Sequence, residues 1–539
     1  MPQPGLPTWC AREEFLFERR GPHNSLTHTH TSTHPPTHPP TQDKIIHYVN
    51  QDGRVNAFYS TPSAYANAKI AGGAQPFPLK TDDYMSYADS PHQYWTGYFS
   101  SRPALKGYVR ETSSFFQAAK QVQALAGGAS DTSASNPLYR LEHAMGVLQH
   151  HDAVSGTSKQ QVAYDYARRL AWGREDGDAL MATSWGTLTG DASLKWASCD
   201  LANASICPAL EVAAAGNPTA VLLYNSQGQA LSAAPILLPV PLPAGIKSYA
   251  VAGADAKPVT AQLLPLSAED VHLRTAYYVN SSALPAGEFQ WLAFQAALPA
   301  MGYAVYFMTP TASADEAPNT HASILTTLST GEGSTDETLS NGIVSLTLSG
   351  ATGRVTHFAN IVSGVSQALT QDLVYYRSSC GQPGGNSGAY CFRPNSTATE
   401  PISVAALNVT VLTGPVINEA RQVWGDGSWA TQTVRLWAGA ATADFVFTIG
   451  PIPIADSWGK EVVATYATDL VSKGTYFTDS NARDSQRRQR NARSSYNYTI
   501  EEPVRCVPAP LCKRCPRLAR ARTLTLLPPY PPARPSPQR

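Results

Sequence analysis

The spacing of the apolar residues changes once along this chain, and the change restricts the folds that the chain can adopt. Between 101 and 173, apolar residues recur every three or four positions, which predicts amphipathic helices. From about 180 to 500, short segments such as GYAVYFM and TQTVRLW alternate apolar with polar residues and are separated by Gly and Pro. This alternation predicts half-buried strands. The sequence therefore predicts an α+β multidomain protein in which helices precede a β-rich region.

Three helices are predicted within the helical stretch. They begin at Pro103, after Asn136 and near Thr157, because proline and N-capping residues mark helix starts. The third is expected to end at Gly173, and the short connections indicate an antiparallel three-helix bundle. The apolar stripes expected to form its core are Leu105, Tyr108, Thr112, Phe115, Ala119 and Val122, then Leu138, Leu141, Met145 and Leu148, then Val162, Tyr166 and Leu170.

Composition and pattern divide the whole chain into six predicted segments. The two ends are low in complexity and are predicted to be disordered, since such segments cannot bury a core. Behind the leader, DKIIHYVNQ predicts a helix, and GRVNAFYSTPSAY predicts a strand that runs into a loop. The segments are a leader (1–42), a short mixed segment (43–100), the helical bundle (101–173), a β domain (180–330), a β-sandwich domain (331–505) and a basic, Pro-rich tail (506–539).

Charge and cysteine content limit the partners and the compartment. The 40 basic residues equal the 40 acidic ones, which argues against nucleic acid as the main partner. No apolar run approaches the roughly 18 residues of a membrane span.

The first twenty residues lack the apolar core of a signal peptide, which by itself favours the cytosol. Five N-x-S/T acceptors and two cysteine pairs favour the secretory pathway instead. The acceptors are Asn203, Asn280, Asn395, Asn408 and Asn497, and the pairs, which suit small disulfide loops as well as idle thiols, are Cys199 with Cys207 and Cys380 with Cys391.

The segment LQHHDAVSG, at the end of the second predicted helix, carries residue types that bind metals and substrates. Imidazole is a good zinc ligand, and an adjacent carboxylate can bind substrate or orient a ring. Gly156 permits a tight turn that would direct His150, His151 and Asp152 into a cleft. The alternative is a polar helix terminus, where a charged histidine interacts favourably with the helix dipole. Residue types alone leave both interpretations open, because the motif supplies one or two ligands and no spaced pair.

Several long segments, in a consistent order, resemble the class II α-mannosidases, a retaining glycoside hydrolase family, and in particular its lysosomal acid branch. The resemblance covers about 43–505 and implies that 43–100 is a remnant of an α/β catalytic domain. The segments are DDYMSYADSPHQYWTGYFSSRPALKGYVR (82–110), LQHHDAVSGTSKQQVAYDYARRL (148–170), CDLANASICP (199–208), SGAYCFRPN (387–395), IGPIPIADSWGKEV (449–462) and YFTDSNARDSQRR (476–488).

The resemblance implies a pocket that holds one Zn²⁺ and a terminal mannose. His151 would be a zinc ligand, and Asp152 would hydrogen-bond sugar hydroxyls. Trp95 would form an apolar wall beneath the sugar, and Tyr390 would reach the same subsite from the β region. A tryptophan packed in the bundle and a core tyrosine are the structural alternatives for these two. The resemblance also implies mannose-containing glycans as substrates, a lysosomal, vacuolar or secretory location, and a disulfide with a glycan in CDLANASICP.

The resemblance also implies residues that the sequence does not supply. A retaining glycosidase needs a nucleophile and an acid/base carboxylate, and in the family these precede the segment that matches Asp43, as does a His–Asp pair that completes the zinc shell. We find no counterpart of these segments; His47 and Asp52, in a helix-like stretch, are poor substitutes. One histidine cannot hold zinc alone. The chain is therefore expected to be the C-terminal half of an acid α-mannosidase, truncated at its start and inactive alone. The alternative is a non-catalytic, β-rich carbohydrate-binding or scaffold protein.

Overall fold

The structure is a computed structural model. It describes residues 41–73, 87, 94–128, 131–191, 194–212, 218–277, 288–379, 387–403, 405–424, 429–480 and 484–490. These fall into two compact units, a larger one within 86–474 and a smaller one within 16–85 and 475–496. No helix in the described ranges combines the length and apolarity needed to cross a membrane.

The smaller unit contains two helices, α1 (Thr41–Asp52) and α2 (Pro62–Ala71), and a hairpin of strands β19 (Thr475–Ser480) and β20 (Asp484–Gln489). Helix α1 confirms the helix predicted from DKIIHYVNQ. The strand predicted in GRVNAFYSTPSAY is wrong, because the Asn50 amide bonds both the N–H and the carbonyl of Ala57 and closes a loop. Thr61 then caps α2, which begins with proline.

The predicted three-helix bundle is confirmed in the larger unit. After the short α3 (Gly97–Ser100), its helices are α4 (Pro103–Leu125), α5 (Pro137–Leu148) and α6 (Gln160–Leu188). Arg140 pairs with Asp176, and the His150 ring lies 6.4 Å from that of Tyr166, so α5 and α6 run antiparallel. The buried core consists of Val109, Phe116, Ala119, Val122, Leu141, Met145, Leu148, Ala153, Leu170, Met181 and Trp185.

The predicted end of the third helix at Gly173 is wrong. Gly173 is buried inside α6, where the helix lies very close to α5. A Cβ at Gly173 would lie 2.8 Å from the Cβ of Ala144 and 3.2 Å from the Cα of Leu141. This glycine therefore serves close helix packing, and α6 continues to Leu188.

Two pairs of packed sheets form the β-rich region, as the alternation predicts. In the first pair, a sheet of order β1-β6-β3 packs on one of order β2-β5-β4-β7. Its strands are β1 (Thr219–Asn225), β2 (Leu231–Leu242), β3 (Ser248–Gly253), β4 (Ala261–Pro265), β5 (Glu288–Leu298), β6 (Gly302–Thr311) and β7 (Thr320–Ala322).

In the second pair, a sheet of order β13-β12-β11-β10-β9, with β18 also beside β12, packs on one of order β17-β16-β15-β14-β8. The sequence predicts that the second β domain begins at residue 331. Strand β8 belongs to the second pair of sheets and lies before that residue. The strands are β8 (Ile324–Leu328), β9 (Glu337–Ser340), β10 (Val344–Leu348), β11 (Val355–Asn360), β12 (Val365–Arg377), β13 (Glu400–Pro401), β14 (Asn408–Thr413), β15 (Ile417–Trp424), β16 (Ala430–Trp437), β17 (Asp444–Ile449) and β18 (Lys460–Thr468).

Two short helices interrupt the β-rich region, α7 (Pro208–Val212) and α8 (Ala268–Tyr277). Helix α8 was not predicted, although its start signal is present in the sequence. The Ser267 hydroxyl accepts from the backbone N–H of Asp270, and the Asp270 carboxylate accepts from the backbone N–H of Ser267. Such a reciprocal pair satisfies the free amides at a helix start.

The disulfide expected from the resemblance is present. Cys199 and Cys207 are bonded, with their Cα atoms 4.9 Å apart, and close a small loop between α6 and α7. Cys380 lies outside the described residues, so its pairing with Cys391 stays a prediction. Residues 1–40 of the leader, the tail, Asn280 and Asn497 also lie outside them, whereas the last two residues of the predicted leader, 41 and 42, begin α1.

Buried charges join α6 to the disulfide loop. Arg174 donates to Asp200 at 2.6 Å, and its guanidinium lies 3.6 Å from the ring centre of Phe115. The Oδ1 of Asp178, one turn further along α6, lies 3.6 Å from the Nε of Arg174, and the carboxyl lies beside Asp200 and Ser198. Burial is the main cause that raises the pKa of Asp178 to about 7; Asp200 acts in the same direction, and Arg174 opposes it. Burial therefore favours the protonated form of the Asp178 carboxyl at this contact.

We expect Asp178 to make the chain more stable in mild acid than at alkaline pH. The folded chain protonates Asp178 at a pKa of about 7, against 3.8 for the ordinary group, so between these values the folded state binds the extra proton and acid favours folding. This contribution is lost as the pH rises through about 7. Thermal unfolding followed by circular dichroism should show a lower midpoint temperature at about pH 8 than at about pH 5. The midpoint should change by about 2–4 °C for each kcal/mol of stability lost.

The Asp178→Asn variant should flatten this pH profile, because asparagine keeps the side-chain size but does not titrate. The control is Glu175→Gln, which changes an exposed acid of the same helix and should keep the slope of the parent. Equal slopes in the parent and in Asp178→Asn would contradict the raised pKa of Asp178.

Candidate functional site

The segment between α5 and α6, residues 149–159, is here called the HHD loop. It is held by its own backbone: Ala153 donates to the carbonyl of His150, and Gly156 donates to the carbonyl of Ala153, both at 2.9 Å. Ser158 donates to the carbonyl of Asp152 at 3.2 Å. Gly156 has φ +74°, which favours glycine, so the tight turn expected there is confirmed.

The HHD loop gathers three possible metal ligands. The Nε2 atoms of His150 and His151 lie 3.4 and 3.8 Å from one Asp152 carboxylate oxygen, and the two imidazole rings are 4.3 Å apart. The side chain of His151 is 87% exposed. Zinc bonds of about 2.0–2.2 Å to nitrogen and oxygen place neighbouring ligand atoms of a tetrahedral site about 3.3–3.6 Å apart. Two imidazoles and a carboxylate suit zinc in ligand chemistry, and their ligand atoms lie within 4.8 Å of one another.

The Asp152 carboxylate is the point where the HHD loop meets the β-rich region. The Thr157 hydroxyl donates to it at 2.7 Å, and the Tyr390 hydroxyl approaches the same oxygen at 3.4 Å, a long contact. The Thr157 hydrogen bond lowers the pKa of Asp152 below its ordinary value, and His151 and His150 add to this effect. Asp152 therefore remains an ionised acceptor in mild acid.

Trp95 and Tyr390 form an aromatic contact beside this carboxylate. Their ring centres lie 5.5 Å apart in an edge-to-face arrangement, and Tyr87 meets Trp95 in the same way at 5.3 Å. Tyr390 is 45% exposed and is not a core residue, whereas the Trp95 Nε1 is buried without a hydrogen-bond partner in the described structure. Trp95 lies outside the apolar core of the bundle. The four residues expected to share one subsite, His151, Asp152, Trp95 and Tyr390, are thus brought together.

Gly97 fixes Tyr390 in this position. Its backbone N–H donates to the carbonyl of Tyr390 at 3.0 Å. A Cβ at Gly97 would lie 2.7 Å from the carbonyl oxygen of Gly388 and 3.0 Å from the nitrogen of Phe392. The start of α3 and the loop at 387–395 therefore touch backbone to backbone, which only glycine allows.

The same loop is closed by Ser387, whose hydroxyl accepts from the backbone N–H groups of Ser379 and Arg393 and donates to the Arg393 carbonyl at 2.6 Å. Gly388 donates to the carbonyl of Cys391 at 2.9 Å and makes the turn that carries Tyr390. The loop is thus tied to the end of β12 before it reaches the site.

The remaining predicted residues lie elsewhere. Asn203 is half-buried in the disulfide loop, Asn395 is half-buried, and Asn408 is exposed at the start of β14. In the smaller unit, His47 contacts Gln51 and Asp52 pairs with Arg54.

The sequence indicates no role for Thr157 beyond a helix start, and the resemblance gives the zinc to His151 and not to His150. Thr157 could have been noticed as a hydroxyl residue at the predicted start of a helix. The contact of its hydroxyl with Asp152 depends on how the HHD loop folds back, and no spacing rule predicts that.

Replacing Gly97 by alanine should loosen the loop that carries Tyr390. The added Cβ forces backbone apart, and overpacking of this kind costs about 1–3 kcal/mol, which corresponds to roughly tenfold or faster amide exchange in 387–395. Hydrogen exchange followed by mass spectrometry measures it. Gly388→Ala is the matched control, because a Cβ there meets nothing within 4 Å. Equal exchange in the two variants would contradict the proposed backbone contact.

Two segments of the chain match models of known protein families. Residues 93–188 match the α-mannosidase middle domain, and 339–515 match the glycosyl hydrolases family 38 C-terminal domain. An α-mannosidase of Arabidopsis thaliana is 37% identical over 477 residues, covering 86% of this chain and 45% of the relative. The human lysosomal α-mannosidase is 33% identical over 476 residues, covering 86% of this chain and 43% of the relative.

The chain thus spans a little under half the length of these curated relatives. A crystal structure of a protein in glycosyl hydrolase family 38 from Enterococcus faecalis aligns with a TM-score of 0.49 at 13% identity, covering 83% of this chain and 53% of the other. The two family models together match more than half of the chain, on either side of the disulfide loop. The chain belongs to glycosyl hydrolase family 38, of which it contains the middle and C-terminal domains.

Proposed function

We propose that this chain is part of an α-mannosidase that hydrolyses terminal α-mannosyl residues by a retaining, zinc-dependent mechanism, and that it forms one side of the pocket. The observation that carries the proposal is the contact between Tyr390 and Asp152, whose residue numbers differ by 238. This contact places the possible metal ligands of the HHD loop next to Tyr390, which lies in a loop of the β-rich region. Relatives named α-mannosidases support the reaction.

His151 is the proposed zinc ligand, and His150 and Asp152 lie close enough to share the ion. When bound, zinc would hold two hydroxyls of the terminal mannose. Three protein donors would leave the ion open to further ligands, which is typical of catalytic rather than structural zinc. The exposure of His151 is consistent with an ion that substrate can reach.

Asp152, Tyr390 and Trp95 are the proposed sugar contacts. An ionised Asp152, kept in that state by Thr157, accepts hydrogen bonds from sugar hydroxyls. The Tyr390 hydroxyl donates and accepts beside it, and its half-exposed ring leaves room for a ligand. Trp95 supplies an apolar surface of the type that suits the C–H face of a sugar ring.

The substrates we propose are mannose-containing oligosaccharides and glycoprotein glycans, and the location is the lysosome, the vacuole or the secretory pathway. The human relative named lysosomal supports the location. The Cys199–Cys207 disulfide suits an oxidising compartment.

Zinc binding tests the metal part of the proposal. Titration of the purified chain with Zn²⁺ in a calorimeter should show one site, and His151→Ala should weaken it at least about 100-fold, since even outer-shell partners cost 10–100-fold. The matched control is His143→Ala, which removes an exposed histidine of α5 outside the HHD loop. Equal zinc affinity in the parent and in His151→Ala would remove His151 from the metal site.

Hydrolysis of an aryl α-mannoside tests the catalytic part. The 539-residue chain should release no more phenolate than buffer with or without zinc, because neither carboxylate of the retaining mechanism has a counterpart that we can identify. Turnover that a chelator abolishes would show that the chain carries its own carboxylate pair. A mannoside that binds without turnover, by contrast, would favour a carbohydrate-binding role.

A further inference from the structure

We propose that Lys106 of helix α4 and Arg102, which directly precedes this helix, are positioning residues of the metal site: their cationic groups bind the carbonyl oxygens of the HHD loop and hold its ligands together. The inference rests on the proposed zinc site. Neither residue lies among the sugar or metal contacts described above, so they would act only through the loop.

Lys106 makes two contacts of the same kind. Its Nζ donates to the carbonyl oxygens of Val154 and Ser155, each at 2.7 Å. Burial lowers the pKa of Lys106 to about 8, with the charge of Arg102 acting in the same direction. The ammonium therefore stays mostly protonated at neutral and acid pH, and its hydrogen bonds are charge-assisted, roughly twice as strong as neutral ones.

Arg102 extends this support by one residue. Its guanidinium donates to the carbonyl of Gly156 at 2.8 Å and to the Gln160 side chain at 2.9 Å. The Ser101 hydroxyl donates to the same Gly156 carbonyl at 2.8 Å. Three consecutive carbonyls of the loop thus point at donors from the start of α4.

The close approach that allows these bonds depends on Gly156. A Cβ there would lie 2.5 Å from the carbonyl oxygen of Ser101 and 3.1 Å from the Cβ of Arg102. Arg102 itself adopts φ 49°, a left-handed conformation that side chains other than glycine rarely take. A strained residue is retained only where surrounding contacts hold it, which is consistent with a positioning role for the helix start.

Hydroxyl groups carry this support to the ligands. The Ser155 hydroxyl donates to the carbonyl of His151 and lies 2.8 Å from the Thr157 hydroxyl, which in turn bonds the Asp152 carboxylate. Ser155 therefore accepts a hydrogen bond from Lys106 through its carbonyl and donates one to the backbone of His151 through its hydroxyl. Loss of the ammonium should let the ligand atoms move apart without removing any of them.

Amide exchange of the zinc-free chain tests the positioning step by itself. Lys106→Met keeps the aliphatic stem and removes the charge, and it should accelerate exchange of the amides of Ala153, Gly156 and Ser158, which the loop protects. Lys106→Arg should restore protection, since it keeps a cation with several donors. The control Lys120→Met removes an exposed lysine of the same helix, whose ammonium lies over the Phe116 ring, and should leave the loop unchanged.

Zinc titration of the same proteins tests the link to the metal. We expect Lys106→Met to weaken zinc binding about 10–100-fold, as outer-shell substitutions do, with Lys106→Arg close to the parent and Lys120→Met equal to it. If Lys106→Met lacks a cooperative unfolding transition, Arg102→Gln takes its place in both measurements, with the same expectation.

The two measurements separate the two proposals. Unchanged loop exchange in Lys106→Met overturns the positioning role, whatever zinc does. Faster exchange with unchanged zinc affinity also overturns it, because the lysine would then be structural only. A parent chain that does not bind zinc, or a His151→Ala variant that binds as the parent does, overturns the proposed zinc site while the exchange result stands.

Discussion

Two backbone contacts made possible by glycine hold the candidate site together. At Gly97 the start of α3 touches the loop that carries Tyr390, and at Gly156 the HHD loop touches the start of α4; added Cβ atoms would lie 2.7 and 2.5 Å from the opposing carbonyl oxygens. The stretch from 97 to 106 is therefore in contact with both loops. These two backbone contacts hold Tyr390 near Asp152. The direct contact between the Tyr390 hydroxyl and the Asp152 carboxylate is long, at 3.4 Å, and contributes less.

The polar groups around this stretch have different exposures, and the difference suits their roles. The supporting cations of Arg102 and Lys106 are half-buried, so their hydrogen bonds to carbonyl oxygens are stronger than they would be in water. His151 is largely exposed, and Asp152 is about one-third exposed. The ligand atoms of His151 and Asp152 are therefore accessible to a ligand, while the half-buried cations restrict the movement of the loop that carries them. A preorganised binding site requires both properties.

Local signals predicted the elements, and tertiary contacts decided the rest. Prolines and N-caps located the starts of α4 and α5, but Gly173, a plausible helix end by itself, is buried in close packing against Ala144. The resemblance led to His151, Asp152, Trp95 and Tyr390, which the structure brings together, although their roles stay predictions. Lys106 could not be inferred, because a lysine on an amphipathic helix ordinarily faces solvent. Its role depends on which carbonyl oxygens the HHD loop turns towards it.

The β-rich region also has a part in the geometry of the site. The Tyr390 loop follows β12, whose residues 369–377 pair with β18. Ser100, at the end of α3, lies beside Glu461 of β18 and opposes burial, which raises the pKa of that carboxyl. The short helix thus lies against the Tyr390 loop at Gly97 and beside β18 at Ser100, while α4, which follows at once, supports the HHD loop. Because a chain of hydrogen bonds and backbone contacts joins the sheet to the loop, displacement of α3 would separate Tyr390 from Asp152 even with every site residue in place. The packing of α3 is therefore as much a condition of the proposed pocket as the residues that line it.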